Sequence, residues 1–397
     1  MASQPSPDPI CLVLSSEWPP TLLGGLGRYV AEVVPQLATA IPVRLALIPT
    51  YLAAAGAWHD LSRNTASPFD WSEYRECLQR LAMADGAAAM APSAQRVALD
   101  CAAAIGTRCA LTLFVQDIFL APVAQALRDL GRARRIVSVC HLPLHAGFTY
   151  FDKPVKEEIH QVLEAQLVRI SDLLVAPSRF AADILSLSHS VAAHKIVVAP
   201  LGVNRPLPPV PPPAGPLRLA FVGRPTEQKG YQFLFEALSE LVRARHDVRL
   251  SIASGTADTG RIRELAARQG VLAQVDFHPA LSHDAMWSFL DACHALVTTS
   301  VYETFGLSVL EAMASARPTI GFAIGSLPEL WGPELTQKFG TPLADAQALA
   351  GKLAGLATDP CHAQQLGELA FERARRFTWQ AHLQQLLPLL RGDGDRT

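Results

Sequence analysis

Short apolar runs alternate with segments of helical periodicity along this chain, and that alternation restricts the fold more than any other feature of the sequence. The runs at 10–14 and 173–176 are apolar throughout, which is typical of strands with both faces buried. Residues 230–244 place apolar side chains at helical spacing. The pattern predicts an α/β protein with doubly wound, parallel sheets. We predict strands at 10–14, 43–48, 109–115, 135–140, 173–176, 195–199, 217–222, 248–253, 274–277, 295–299 and 319–322.

A proline-rich segment divides this pattern into two parts. Eight of the 17 residues from Pro200 to Pro216 are proline, which continues neither a helix nor a central strand. We therefore predict an N-terminal Rossmann-like domain at 1–204, a stiff linker at 205–216 and a second Rossmann-like domain at 217–375. Because such sheets bind ligands at the carboxyl ends of their strands, we expect the two domains to face each other across a cleft that holds the site.

Charge and cysteine content argue against several classes of function. The formal net charge of −2 gives no general attraction to nucleic acid or to an anionic membrane. The seven cysteines are scattered and never form a C-x-x-C pair, so they indicate neither a zinc site nor a disulfide framework. The N-terminus lacks the basic and apolar regions of a signal peptide, and no apolar run is long enough to span a membrane. We expect a cytoplasmic protein with no nucleic-acid partner and no transmembrane segment.

A glycine-rich turn follows the first predicted strand. Gly24, Gly25 and Gly27 lead into a segment of helical periodicity. Glycine lets backbone amides approach an anion closely, and a helix N-terminus favours negative charge. The segment is therefore either a diphosphate-binding loop or only a tight turn. It does not match the G-x-G-x-x-G dinucleotide motif, because Val30 stands at the last position of that spacing.

Two cationic residues follow the first strand of the predicted second domain. Gly223 and Arg224 come directly after the run at 217–222, and Lys229 stands at the expected start of the next helix. Positive charge at that position neutralises the charge that develops on a leaving phosphate. The alternative is that both side chains are ordinary solvated surface charges.

The segment from Glu303 to Glu311 contains the most specific cluster of the sequence. Glu303 lies in a loop after a strand, and a helix beginning near Phe305 places Glu311 about two turns into that helix. Amides at the start of such a helix donate to phosphate or sugar oxygens. The carboxylate of Glu311 accepts from both hydroxyls of a ribose. An amphipathic helix with a surface glutamate is the plainer reading, but it requires neither Gly306 nor a second glutamate, so we predict a nucleotide site.

These motifs, in this order, resemble those of retaining glycosyltransferases of family 4, which have the two-Rossmann fold called GT-B. The similar segments are Glu-Trp-Pro-Pro with the following glycines, Gly223-Arg224 with Lys229-Gly230, the Glu-x7-Glu of Glu303 and Glu311, and His141-Leu-Pro. The resemblance extends over most of the chain. It also implies that terminal helices at about 376–397 return to complete the first domain.

The resemblance implies roles for individual residues. Arg224, Lys229, Glu303 and His141 would be the catalytic set. The donor diphosphate would be bound by Gly24, Gly25, Arg224, Lys229, Leu307 and Ser308. The donor sugar would be contacted by His141, Glu303, Phe305 and Gly306, and the ribose by Glu311. For His141, a satisfied core histidine at a strand end is the alternative.

The expected reaction is transfer of a sugar from a nucleoside-diphosphate sugar to a hydroxyl, with retention at the anomeric carbon. The family's front-face mechanism needs no protein nucleophile, cofactor or metal, because the leaving phosphate takes the acceptor proton. We expect a UDP-sugar first and a GDP-sugar next. Alternatives are a sugar-nucleotide epimerase or phosphorylase on the same fold, a non-catalytic sugar-nucleotide-binding module, and a nicotinamide-dependent oxidoreductase.

The acceptor is expected to be a small molecule or glycan bound by the first domain. Phe148, Tyr150 and Phe151 either stack on an acceptor ring or form a hydrophobic flap, which we favour. The arginines at 128, 132, 134 and 135 are either a solvated helix end, which we favour, or a contact to a membrane or an anionic acceptor. The chain departs from the family pattern at several positions, since Ala316 and Ser326 stand where glycines are usual and His278-Pro279 replaces a frequent glycine.

Overall fold

The computed structural model describes residues 10–19, 25–48, 56–61, 65–69, 72–81, 90–105, 111–143, 158–255 and 259–392. The chain divides into two compact units, each built around its own sheet. The first unit is Met1–Pro200 with Gln380–Thr397, and the second is Leu201–Trp379. Within the described ranges, none of the helices combines the length and the apolarity that a membrane span requires.

The first unit contains, among its described residues, a sheet of eight strands in the order β4-β3-β2-β1-β5-β6-β7-β8. The strands are β1 Ile10–Ser15, β2 Val43–Leu47, β3 Gly56–Asp60, β4 Thr65–Phe69, β5 Leu111–Val115, β6 Ala133–Val139, β7 Leu173–Ala176 and β8 Ile196–Val198. The helices are α1 Gly25–Ala38, α2 Ser72–Leu81, α3 Ala91–Ile105, α4 Ala121–Asp129, α5 Glu158–Ile170 and α6 Arg179–His189. The last helix of the chain, Trp379–Arg391, belongs mostly to this unit as well.

The predicted parallel strands are present; four of them have the predicted bounds, and the ends of the others differ by at most two residues. The prediction missed β3 and β4, which lie at one edge of the sheet and run antiparallel to their neighbours. Their sequences, GAWHD and TASPF, contain no apolar run. Only β4 is paired on one side, and this edge position tolerates the proline at position 68, whereas β3 pairs with both β2 and β4.

The second unit contains a parallel sheet of six strands in the order β11-β10-β9-β12-β13-β14. The strands are β9 Leu217–Val222, β10 Val248–Ala253, β11 Val275–His278, β12 Ala295–Thr298, β13 Thr319–Phe322 and β14 Gly340–Thr341. The helices are α7 Tyr231–Arg243, α8 Gly260–Arg268, α9 His283–Asp291, α10 Leu307–Ala314, α11 Leu327–Phe339, α12 Ala346–Thr358 and α13 Pro360–Ala374; the last helix of the chain, Trp379–Arg391, is α14. Helix α7 buries Leu234, Ala237, Leu238 and Leu241, the apolar stripe that the sequence predicted.

The proline-rich segment is bound along the second unit by two arginines. Arg205 donates to the carboxylate of Asp291 at 2.7 Å and to Ser315 Oγ at 2.8 Å. Arg317 is 1% exposed and donates to the carbonyls of Val210 and Asp291, both at 3.0 Å. A buried guanidinium needs several acceptors, and these carbonyls supply them. The segment predicted as a linker is thus hydrogen-bonded to the rest of the second unit near its start, through Arg205, and near its middle, through the carbonyl of Val210.

The basic residues of the first unit are largely engaged with the protein itself. Arg128 pairs with Asp172 and donates to the carbonyl of Ile170 at 2.6 Å. Arg135 is 9% exposed and donates to the carbonyl of Leu389 at 3.1 Å. Two of the four arginines that the sequence grouped together therefore serve to join α4, β6 and the last helix to their neighbours.

Ala316 has a left-handed backbone, with φ of 53°. Its carbonyl approaches Gly367 so closely that a Cβ on that glycine would stand 2.2 Å away. Alanine pays a steric cost in this region that glycine does not. The left-handed backbone at position 316 therefore explains why glycine is usual there.

We predict that Ala316→Gly raises the free energy of unfolding by roughly 0.5–1 kcal/mol, because it relieves the left-handed strain. The measurement is urea denaturation. The control is Ala292→Gly, another alanine directly after a helix, whose φ is −76°. This control should be destabilised by roughly 0.5–1 kcal/mol, and a loss of stability in both variants would contradict the account.

Candidate functional site

The strand order of the second sheet reverses between β9 and β12. From β9 the chain proceeds outward to β10 and β11, and then returns to the other side of β9 with β12. In open α/β sheets, ligands bind beyond the carboxyl ends of the strands at such a reversal. The residues that follow β9 are Gly223 and Arg224, and those that follow β12 are Thr299 to Gly306. Both predicted donor motifs therefore lie at this point.

Lys229 and Glu303 form an ion pair across this reversal point. Lys229 Nζ lies 3.0 Å from Glu303 Oε2 and 3.4 Å from Ser300 Oγ. The two side chains are 21% and 13% exposed. Lys229 ends a short 3-10 turn, and Gly230 then adopts a φ of 61° before α7 begins. A Cβ on Gly230 would stand 2.1 Å from the carbonyl of Thr299, so only glycine permits this close approach.

Hydrogen bonds between the two loops hold this arrangement. Gln228 Nε2 donates to the carbonyl of Tyr302 at 2.9 Å, and the amide of Val301 donates to the carbonyl of Gln228 at 2.9 Å. Thr299 Oγ1 donates to the carbonyl of Lys229 at 2.9 Å. The loop after β9 and the loop after β12 therefore form one bonded unit, which fixes the height of the Lys229 ammonium group above the sheet.

The backbone of Glu303 is fixed from a second direction by the turn after β13. Ser326 donates to the Glu303 carbonyl through both its amide, at 3.0 Å, and its hydroxyl, at 3.1 Å. Gly325 has a φ of 56°, and a Cβ there would stand 2.3 Å from the same carbonyl. Ser326, which stands where a glycine is usual, thus adds a hydrogen bond at this contact.

Helix α10 begins at Leu307, two residues later than predicted. Gly306 at the N-cap has a φ of 86°, and no side chain caps this end in the part of the chain that the structure describes. The amides of Leu307 and Ser308 are therefore at the open, electropositive end of the helix. Glu311 lies little more than one turn into the helix rather than two, and it is 7% exposed.

The remaining predicted donor residues occupy different environments. Phe305 is 4% exposed and packs edge-on against Phe377, with ring centroids 6.1 Å apart. Its side chain therefore belongs to the core, and only its backbone faces the loop. Arg224 is exposed at the end of β9, and a Cβ on Gly255 would stand 3.6 Å from its Cγ. Gly24 lies outside the described residues, as do Phe148, Tyr150 and Phe151, while Gly25 is the first residue of α1.

The first sheet reverses its order between β1 and β5, and polar residues follow both strands. Ser16 and Glu17 come after β1, and Gln116 and Asp117 come after β5. All four are buried, with exposures between 1% and 6%. Ser16 donates to the carboxylate of Asp117, whose other oxygen accepts from the amide of Phe119 at 3.1 Å. The sequence analysis included Glu17 in a family-like segment but did not identify Ser16, Gln116 or Asp117, because isolated polar residues after strands match no motif.

Burial changes the protonation of this group. Burial raises the pKa of Asp117 from 3.8 to about 6. Hydrogen bonds from Ser16 and from the amides of Phe119 and Ile118 oppose this shift, and the nearby carboxylate of Glu17 adds to it. The Asp117 carboxyl group therefore responds to pH just below neutrality.

His141 lies at the carboxyl end of β6 and makes contacts on two sides. Its Nε2 lies 3.3 Å from Gln116 Oε1, and its ring packs edge-on against Tyr29, with centroids 4.8 Å apart. Burial lowers the pKa of His141 to about 3, and the neighbouring His382 lowers it further. The imidazole is thus neutral near pH 7. Both the predicted site role and the alternative of a satisfied histidine are compatible with these contacts.

Comparison with known proteins agrees with the two-part architecture. Residues 208–373 match the family model described as "Glycosyl transferases group 1". Sucrose-phosphate synthase from Thermosynechococcus elongatus superimposes with a TM-score of 0.80 over 98% of this chain and 100% of its own, at 20% identity. Anabaena HepE in complex with UDP-glucose gives a TM-score of 0.72 over 97% of this chain and 100% of its own, at 16% identity. The chain therefore has the tandem Rossmann-like fold of GT-B glycosyltransferases.

Curated relatives share part of the sequence. MMP alpha-(1->4)-mannosyltransferase of Mycolicibacterium hassiacum is 30% identical over 244 residues, which is 59% of this chain and 58% of the relative. D-inositol 3-phosphate glycosyltransferase of Streptomyces coelicolor is 29% identical over 250 residues, which is 55% of this chain and 54% of the relative. The matched regions span less than two thirds of these relatives. Together with the family model, they support a GT-B glycosyltransferase.

Asp117 gives a prediction about pH. Because its folded pKa of about 6 exceeds the ordinary 3.8, its contribution to stability is greatest below pH 3.8 and is lost as the pH rises through 6. We therefore expect Asp117→Asn to gain stability relative to wild type between pH 4 and pH 7.5, by up to about 3 kcal/mol. Urea denaturation at several pH values measures this gain.

The control is Asp359→Asn, which alters an exposed carboxylate that caps a helix and bonds the amide of His362 at 3.0 Å. A pH-dependent gain for Asp117→Asn no larger than that of this control would show that the Asp117 carboxyl ionises normally.

Proposed function

We propose that this chain is a retaining glycosyltransferase that moves a sugar from a nucleoside-diphosphate sugar to a hydroxyl group of an acceptor. The observation that carries the proposal is the Lys229–Glu303 ion pair, which lies at the strand reversal of the second sheet beside the start of α10. These features fall within the segment that matches the glycosyl transferases group 1 model. The second unit would bind the donor and the first unit the acceptor.

The donor diphosphate is assigned to three sources of positive charge or hydrogen bonding. They are the exposed guanidinium of Arg224, the ammonium of Lys229, and the amides of Leu307 and Ser308 at the start of α10. Glu303 neutralises Lys229 before the donor binds and fixes its position. Because cations and helix amides supply the neutralisation of the leaving group, we propose that the reaction needs no metal.

The nucleoside and the sugar are assigned to carboxylates and backbone. Glu311, which is 7% exposed, would accept from the ribose hydroxyls. Glu303 and the backbone from Phe305 to Gly306 would contact the donor sugar. We propose a UDP-sugar as donor, since Anabaena HepE, which shares the fold, is solved in complex with UDP-glucose. A GDP-sugar is the next candidate.

Retention follows if bond breaking and bond formation occur on one face of the donor sugar. The bond between the anomeric carbon and the phosphate oxygen breaks, the acceptor oxygen forms a bond to the same carbon from the same side, and the acceptor proton passes to the leaving phosphate. Arg224 and Lys229 stabilise the negative charge on that phosphate. The low pKa of His141, which burial sets to about 3, means that it acts as a neutral hydrogen-bonding group and not as an acid.

The acceptor is proposed to be a small hydroxylated molecule. The buried Glu17, Gln116 and Asp117 at the strand reversal of the first sheet provide hydrogen-bonding groups suited to hydroxyls. The name D-inositol 3-phosphate glycosyltransferase of a similar protein makes inositol, with and without its phosphate, the first compound to test.

We predict that Lys229→Ala and Glu303→Ala each lower kcat/KM for the donor by about 100-fold to 1,000-fold, because each removes preorganised electrostatic stabilisation. Product formation from a panel of UDP- and GDP-sugars with hydroxylated acceptors is followed by mass spectrometry, with and without a chelator. Matched controls on the same unit are Lys352→Ala, whose ammonium binds the carbonyls of Gln337 and Lys338, and Glu240→Ala, whose partner is Arg243.

The controls should keep wild-type rates. Unchanged activity in both site variants would refute the site assignment. Acceptor-independent isomerisation of the donor would indicate an epimerase, and nucleotide binding without turnover would indicate a non-catalytic module.

A further inference from the structure

His141 belongs to a chain of buried contacts that extends well beyond the predicted site. The edge-on contact of His141 with the Tyr29 ring is the first link, and the Tyr29 hydroxyl then lies 2.8 Å from His382 Nε2. The rings of Tyr29 and His382 also meet edge-on, with centroids 5.3 Å apart. Tyr29 is on α1 and His382 is on α14, 353 positions later in the sequence.

The contacts of His382 with two backbone carbonyls determine which group donates in the hydrogen bond between His382 and Tyr29. His382 Nδ1 lies 3.2 Å from the carbonyl of Ala199 and 3.1 Å from that of Pro200. Carbonyl oxygens only accept, so Nδ1 must carry the hydrogen. Burial lowers the pKa of His382 to about 4, so the ring is neutral and Nε2 is an acceptor. The Tyr29 hydroxyl therefore donates to His382, and its own orientation is set.

The polar groups of Tyr29 and His382 are costly in this position. Tyr29 is fully buried and His382 is 1% exposed. A phenol and an imidazole in a core cost stability unless each is hydrogen-bonded, and apolar side chains would fill the same space without that requirement. The hydrogen bond between Tyr29 and His382 satisfies both polar groups, and the Tyr29 ring that carries this hydroxyl also contacts His141.

The opposite side of His141 is held by Gln116. Gln116 is 1% exposed, and its Oε1 only accepts, so His141 Nε2 carries the hydrogen of the neutral ring and donates across 3.3 Å. The imidazole is thus held between a hydrogen bond to the end of β5 and an aromatic edge on α1. Its tautomer is set by the first contact and its tilt by the second.

We propose that Tyr29 and His382 are positioning residues for His141. Tyr29 contacts the His141 ring and bonds to His382, and His382 in turn bonds to the backbone carbonyls of Ala199 and Pro200. These carbonyls stand where the chain leaves the first unit, and α14 begins where the chain returns to it. The inference rests on the proposed function, because it takes His141 to be the neutral hydrogen-bonding group of the transfer reaction. The orientation of a group near the reacting carbon affects the rate more than it affects donor binding.

Substitutions can separate the two ends of His382. Asn places its amide near Nδ1, so His382→Asn keeps the donor to the carbonyls and loses the acceptor for Tyr29. Gln places its amide near Nε2, so His382→Gln keeps an acceptor for the Tyr29 hydroxyl. Tyr29→Phe keeps the ring beside His141 and removes only the hydroxyl. The control is Thr319→Val, which breaks a buried 2.8 Å hydrogen bond from Trp331 in the second unit.

We expect Tyr29→Phe and His382→Asn each to lower kcat by about 5-fold to 20-fold with the donor KM changed less than about 2-fold, since the loss is one of orientation. The double variant should be no slower than the slower single variant, because both changes remove the same link. His382→Gln keeps the acceptor for Tyr29 but loses the link to the carbonyls, so it should recover kcat only in part. Thr319→Val should keep wild-type kcat. Losses of kcat that add up in the double variant, or an equal loss of kcat in Thr319→Val, would overturn the proposal and indicate general destabilisation instead.

A second readout does not depend on activity. With ¹⁵N-labelled histidine and the His141 signal assigned from a His141→Gln variant, the ring nitrogen shifts at pH 7.5 report the tautomer and its hydrogen bond. We expect the His141 shifts to move in Tyr29→Phe and His382→Asn and to remain in Thr319→Val. Unchanged His141 shifts in both network variants would refute the positioning role, whereas moved shifts in a protein that transfers no sugar would refute only the proposed function.

Discussion

The Lys229–Glu303 ion pair joins the loops that follow two adjacent strands, and the candidate donor site of the second unit is built around it. β9 and β12 pair side by side where the strand order reverses, so their following loops meet above the sheet. The left-handed Gly230 and Gly325 allow backbone to approach within distances that any side chain would block. The pair therefore has a fixed height and direction, which is what electrostatic stabilisation of a leaving group requires.

The two units use the same design with different chemistry. In each sheet the strand order reverses beside the first strand, and the residues after that strand and its returning neighbour are polar. The second unit presents cations and open helix amides, which favour an anion. The first unit presents the buried Glu17, Gln116 and Asp117, which suit neutral hydroxyls rather than phosphate. This division of charge matches a donor that carries a diphosphate and an acceptor that carries hydroxyl groups.

Sequence reasoning located most of the fold, because central parallel strands are apolar runs and their spacing sets the topology. It missed β3 and β4, whose pairing is antiparallel and whose sequences lack an apolar run, and the two-residue β14 at the edge of the second sheet. In the second unit it singled out Lys229 and Glu303, because glycines beside charged residues form a compact motif; the structure brings the two residues into contact, and their roles stay predictions. It could not find Tyr29 and His382 as partners, since a contact between residues 353 positions apart leaves no local pattern. The start of α10 was placed two residues early because Gly306, and not Phe305, is the N-cap.

The most direct measurement is a thermal-shift panel of the purified protein with uridine, guanosine, adenosine and thymidine diphosphates, each with and without a chelator. A ligand at about 100 times its Kd stabilises the folded state by roughly 2.7 kcal/mol. The account predicts that one nucleotide, with UDP first, raises the Tm, that the shift persists with chelator, and that Glu311→Ala abolishes it. No shift with any nucleoside diphosphate, or one that is lost with chelator, would contradict a metal-free donor site built on Lys229, Glu303 and Glu311.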